Sequence, residues 1–172
     1  MSAQSPRAQD APARIRPVLS SDVPALLVMF RELAQYEQLL DHVQATQERL
    51  QHALFGEPPS AYALIAERDG QALGYAVFFS TFSTFLSIPG IWLEDLYVRP
   101  QHRGAGVGRD LLAAVAARLL RDGGERLEWS ALRWNELALG FYRGLGAETM
   151  DGWITHRLGG EHLERLAASA QR

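Results

Sequence analysis

A chain of 172 residues, 47% apolar and 22% charged, is of the size and composition of one domain with its own core. Its formal net charge of −3 and pI near 5.9, with no long basic stripe, argue against nucleic-acid binding. The absence of cysteine excludes disulfides, thiolate nucleophiles and thiolate zinc sites. The five histidines, His42, His52, His102, His156 and His162, match no metal-ligand spacing, so no metal is expected.

Residues 1–13 lack the apolar core of a signal peptide and read as a disordered tail, leaving 14–172 as a single domain. No later run approaches the ~20 apolar residues of a membrane span, which points to a cytoplasmic protein without a membrane partner. Ile15–Val18 reads as a short edge strand. Ser20 or Ser21 can cap a helix reaching about Tyr36, with Val23, Leu26, Leu27, Phe30 and Leu33 at helical spacing. A second helix is expected from Thr46 to near Gly56. The runs Ala61–Glu67 and Ala72–Ser80 read as strands joined through Asp69-Gly70, a hairpin signal. Ser83–Gly90 reads as a loop and Ile91–Val98 as the next strand.

Val107–Asp122 carries Leu111, Leu112, Val115 and Leu119 on one helical face and ends at Gly123-Gly124. Leu127, Trp129 and Ala131 alternate with polar residues as a strand. A short helix from about Leu137 to Gly146, a last strand at Trp153–Leu158 and a small helix within Glu161–Ala170 complete the chain. The order β-α-α-β-β-β-α-β-α-β implies a mixed α/β sheet with helices on both faces.

Arg103-Gly104-Ala105-Gly106-Val107-Gly108 lies between a strong strand and a strong helix. Helix-start amides lack backbone partners and the helix dipole favours an anion there. Alternate glycines let the backbone approach phosphate oxygens, and an arginine adds a charged donor. A Walker loop needs Lys then Ser/Thr after its last glycine, whereas Gly108 precedes Arg109-Asp110. A dinucleotide fingerprint needs glycine where Arg109 stands. The alternative is a plain tight turn before a helix.

Arg-x-x-Gly-x-Gly over Arg103–Gly108 resembles the pyrophosphate loop of GNAT acetyltransferases. Trp92–Val98 before it, Arg133-Trp134-Asn135-Glu136 and Gly140–Ala147 after it agree in order and spacing. With Glu32–Glu37 and Gly152-Trp153, they resemble the diamine (spermidine/spermine) and thialysine acetyltransferase branch. The likeness covers roughly residues 14–168. It implies the GNAT fold, with a mostly antiparallel, splayed central sheet, and acetyl-CoA as co-substrate.

On that likeness, the cofactor arm would bond backbone groups of Leu96, Tyr97 and Val98, and the pyrophosphate would sit on Arg103, Gly104, Ala105, Gly106, Val107 and Gly108. Asn135 would bind the arm, although a helix cap is its other reading. Tyr142 would protonate the departing thiolate, a role open to a phenol with a pKa of roughly 10. Its alternative is a core aromatic beside Phe141. Consecutive strand residues point to opposite faces, so Glu94 and Asp95 would face opposite sides. Burying either charge is costly unless it is paired or lines a cleft. By family position Glu94 would bind the amine and draw off its proton, the alternative being an ion pair with an arginine. Tyr36, Glu37, Glu128 and Asp151 would add substrate contacts.

The loop Ser83–Gly90 holds no carboxylate, so a small amine or lysine-like amino acid suits this chain at least as well as a long polyamine. The resulting expectation is direct acetyl transfer to a small cationic amine in a ternary complex, by a homodimer exposing Phe82, Phe85, Leu86 and Ile88. Two other readings stand beside it: a CoA-binding accessory module without turnover, and acetylation of a protein amine.

Overall fold

The computed structural model describes residues 12–171. The expected tail at 1–13 therefore falls almost wholly outside the described residues. The chain separates into two compact units, Met1–Ser130 and Ala131–Arg172.

The first unit is built on a five-stranded sheet of order β1-β2-β3-β4-β5. The strands are β1 (Arg14–Pro17), β2 (Tyr62–Arg68), β3 (Gln71–Ser83), β4 (Ile88–Val98) and β5 (Arg126–Trp129). The first four pair antiparallel and β5 joins β4 in parallel, as the mixed, mostly antiparallel expectation has it. The Asp69-Gly70 hairpin forms with both residues at positive φ, 51° and 76°, the backbone of a two-residue turn whose twist suits the strands.

Helices α1 (Val23–Tyr36) and α2 (Gln47–Phe55) cover one face. Val23, Leu26, Met29, Leu50 and Leu54 pack there with Ala63, Ile65, Tyr75, Val77 and Tyr97. Thr46 starts α2 by accepting the Arg49 amide on its hydroxyl, 3.2 Å. Helix α3 (Val107–Arg121) covers the other face with Val107, Leu111, Leu112, Val115 and Leu119 buried. The Arg118 guanidinium there lies 4.0 Å from the Tyr62 ring centroid.

The segment expected as a loop at Ser83–Gly90 is half strand. Ser83 pairs with Ile88, and only Thr84–Ser87 turns, with Ser87 at φ 56°. Pro89 and Gly90, placed in that loop by the sequence, stand in the ladder opposite Phe82 and Thr81. Gly90 is required because a Cβ there would come within 2.6 Å of the Thr81 hydroxyl.

The second unit holds α4 (Glu136–Gly144) and α5 (Gly160–Ala168). The expected last strand at Trp153–Leu158 is not formed. Alternation defines a face, but a strand also needs a partner ladder for its amides and carbonyls. These residues have none among those described, and Trp153 and Ile154 are 76% and 80% exposed.

Candidate active site

The glycine loop takes the shape its residues permit. Gly104 and Gly106 have φ of 77° and 85°, and Gly106 is the residue from which α3 departs. No side chain caps that helix start. The amides of Val107, Gly108 and Arg109 thus have no intrahelical acceptor, the arrangement that suits an anion.

Arg103 does not point away from the body of the unit. Its Nε donates to the Val98 carbonyl at 2.9 Å, and its guanidinium lies 5.0 Å from the Tyr36 ring centroid and 5.9 Å from that of Tyr97. It joins the end of α1 to the end of β4. A cleft of about 420 Å³ opens there, lined by Tyr36, Tyr97, Arg99 and Arg103 among others. Arg99 is held by both oxygens of Glu32, each at 2.9 Å.

The middle of β4 departs from regular alternation. Val77 pairs with Asp95 but Phe78 pairs with Leu93, so Glu94 is an extra residue, a bulge. Trp92 donates from Nε1 to Glu94 Oε2 at 3.1 Å, and Tyr75 donates from its hydroxyl to Asp95 Oδ2 at 3.3 Å. Tyr75 and Tyr97 belong to the core under α1 and α2, so Asp95 and Tyr97 face that side while Leu93, before the bulge, faces α3. The two carboxylates therefore do not lie on opposite faces, as unbroken alternation would have required. The bulge turns both toward the α1 side.

Burial pushes the Asp95 carboxyl up to about 6, with Glu94 and Glu37 adding to the rise and the Tyr75 hydrogen bond opposing it. Burial also raises Tyr75, helped by Asp95, which keeps its hydroxyl a donor. Glu37, just past the end of α1, is likewise raised by burial. The first unit thus brings together Tyr36, Glu37 and Glu94 from the expected set, and adds Asp95, Tyr75 and Trp92. The signal for the added ones was two adjacent carboxylates inside an apolar strand, a pattern that strict alternation does not accommodate. Glu128, on β5 beside Trp92 in the register, is engaged by Arg126 at 2.7 Å.

Pairing of β5 with β4 ends at Leu93–Trp129. From Glu94 to Val98, only β3 lies beside β4 among the described residues. This leaves one edge of β4 without a strand partner at Leu96, Tyr97 and Val98, the residues expected to bond a cofactor arm.

In the second unit, Asn135 caps α4 by accepting the Ala138 amide on Oδ1, 3.1 Å. Tyr142 lies on the same helix, its ring 5.2 Å from that of Phe141. Asp151 is exposed in a turn after α4.

A mixed, mostly antiparallel sheet, a bulged central strand and a glycine-lined, uncapped helix start after it define an α/β protein with a place for an anion. The chain belongs to the GNAT family of acetyltransferases, matching it over residues 27–147, a stretch that runs through both units. A thialysine N-epsilon-acetyltransferase of Mus musculus is 34% identical over 91% of this chain and 98% of its own. An L-ornithine N5-acetyltransferase of Arabidopsis thaliana is 36% identical over 54% of this chain and 41% of its own. Among solved structures, an integron cassette protein of V. cholerae superposes with a TM-score of 0.76 at 25% identity, covering 91% of this chain and 98% of that one. Among the described residues, no helix is long and apolar enough to cross a membrane.

Proposed function

We propose that this acetyltransferase moves an acetyl group from acetyl-CoA to the primary amine of a small cationic substrate, a diamine or lysine-like amino acid, by direct transfer. Glu37, Glu94 and Asp95 carry this assignment. They gather on one side of β4, and none is paired with an arginine among the described residues. By contrast, arginines engage most of the unit's part-buried carboxylates other than Glu37 and Asp95: Glu32 by Arg99, Asp22 and Glu67 by Arg16, Glu128 by Arg126. Leaving part-buried negative charge uncompensated is unfavourable unless a cation completes it. The names of the thialysine and ornithine relatives agree with an amine acceptor.

Acetyl-CoA supplies the activated acetyl group. The free amides of Val107, Gly108 and Arg109 suit its pyrophosphate, with Arg103 and the turn Gly104–Gly106 beside them, and the unpaired stretch of β4 suits its arm. Asn135 and Tyr142 are assigned to the arm and to protonation of the leaving thiolate. Glu94 binds the ammonium group, with Tyr36, Glu37, Glu128 and Asp151 as further substrate contacts. The chain contains no cysteine, so a thioester acyl-enzyme is excluded, which agrees with direct transfer. Residues 14–172 act as one domain of a cytoplasmic homodimer, its contact at the β3–β4 hairpin tip, where Phe82, Phe85 and Leu86 are exposed.

The test is an acetyl-CoA turnover screen at pH 7 to 9 against diamines, polyamines, thialysine, lysine, ornithine and aminoglycosides. Saturable turnover with a small amine is expected. Acetyl-CoA binding without turnover on any amine would mean an accessory module, and turnover only on peptides would mean a protein acceptor.

A further inference from the structure

We infer that Asp95 is a second acid–base residue of the transfer, its free oxygen taking the proton that the acceptor ammonium loses, with Tyr75 as the residue that positions it. The inference rests on the amine-acceptor reading above. It starts from the β4 bulge, which puts Glu94 and Asp95 on one side of the strand but at different depths. Glu94 is exposed and bonded to the Trp92 indole, as suits a group that meets the cation first. Asp95 is part-buried and bonded through Oδ2 to Tyr75.

Tyr75 is wholly buried, its ring 4.9 Å from that of Phe30 and 6.0 Å from that of Tyr97. A phenol wedged in this way holds the Asp95 carboxylate in one orientation. Oδ1 has no hydrogen-bond partner among the described residues, in a unit where arginines engage most other part-buried carboxylates. The charged and titratable groups acting on Asp95 are Tyr75 from β3, Glu94 from β4 and Glu37 from the end of α1. Both carboxylates raise its proton affinity and the phenol lowers it.

The step is a single proton transfer. An N–H bond of the ammonium breaks, an O–H bond forms at Asp95 Oδ1, and the nitrogen keeps the electron pair with which it attacks. The neutral carboxylic acid then returns its proton to water. An alkylammonium near pKa 10.4 gives its proton to a carboxylate uphill, and a carboxyl at about 6 rather than 3.8 improves that equilibrium roughly a hundredfold.

The experiment is the pH profile of kcat/KM for the best amine, in wild type and three variants. Wild type should lose activity on an acid limb near pH 6. Tyr75→Phe removes the hydrogen bond that favours the carboxylate, so the limb should move to higher pH while the rate on the alkaline plateau falls only a few-fold. Glu94→Gln removes a like charge, so the limb should move to lower pH while KM for the amine rises. Asp95→Asn should lose the limb and at least a hundredfold in kcat/KM, with acetyl-CoA binding kept. Asp95→Asn retaining the limb, or more than half the wild-type rate, overturns the inference and leaves the amine reading intact. A limb that Tyr75→Phe leaves in place overturns the positioning role. No turnover of any amine by wild type overturns both readings together.

Discussion

Asp95→Asn removes the buried charge of the β4 bulge with little change of shape, because asparagine keeps the branched outline and can accept the Tyr75 hydroxyl. In the folded protein the carboxyl titrates at about 6, against 3.8 for the free group. Between those values the folded state binds the extra proton, so wild-type stability falls as pH rises from about 4 to about 6 and is level above. At pH 8 the ionised group therefore costs about 3 kcal/mol, at 1.36 kcal/mol per tenfold in proton affinity. Asparagine avoids that cost but needs partners for its own amide, so a gain of about 2 kcal/mol is expected, or roughly 4–8 °C in Tm for a chain of this size. Thermal unfolding of both proteins by circular dichroism, in steps from pH 4.5 to 8, reads this directly. The variant should melt higher at pH 8, and the difference should close toward pH 4.5. A variant that melts no higher than wild type at pH 8, or a gap independent of pH, would refute the raised proton affinity of Asp95 in the folded protein.

Gly106→Ala adds a methyl group that meets nothing within 4 Å, so its whole effect comes from holding alanine at φ 85°. About 1–2 kcal/mol of stability should be lost, and KM for acetyl-CoA should rise if the loop relaxes by turning its amides. Arg16 holds Asp22 and Glu67 and keeps both carboxyls below the usual carboxylate range. Depressed groups stabilise above their unfolded values near 4 and lose that contribution as pH falls through the folded ones. Arg16→Met should thus lower Tm at pH 7 and flatten its decline below pH 4, checked by the same melts. Tyr142→Phe should lower kcat by one to two orders of magnitude with acetyl-CoA binding nearly intact in calorimetry, and an unchanged kcat would remove the phenol from the chemistry.

What could be read from the sequence were the features that single residues enforce locally. Thr46 caps its helix, Asp69-Gly70 makes its hairpin and Gly106 opens α3, because each depends on the conformational range or short reach of one side chain. The nucleotide-type loop and its family likeness were visible for the same reason. The last strand was misread because alternation in Trp153–Leu158 carries no information on whether a ladder is available.

The carboxylate pair shows where that reach ends. The sequence alone placed Glu94 and Asp95 in an apolar strand, and the family likeness made Glu94 the candidate for a cationic ligand. Their common face depends on a one-residue mismatch between β3 and β4, a property of the pairing rather than of either strand. Asp95 finds its partner in Tyr75, twenty residues away, and its raised proton affinity comes from burial, then from Glu94 beside it and from Glu37 at the end of α1. Residue chemistry determined which groups could act. Only the tertiary structure decided which of them share a face, which are neutralised by arginine and which are left charged.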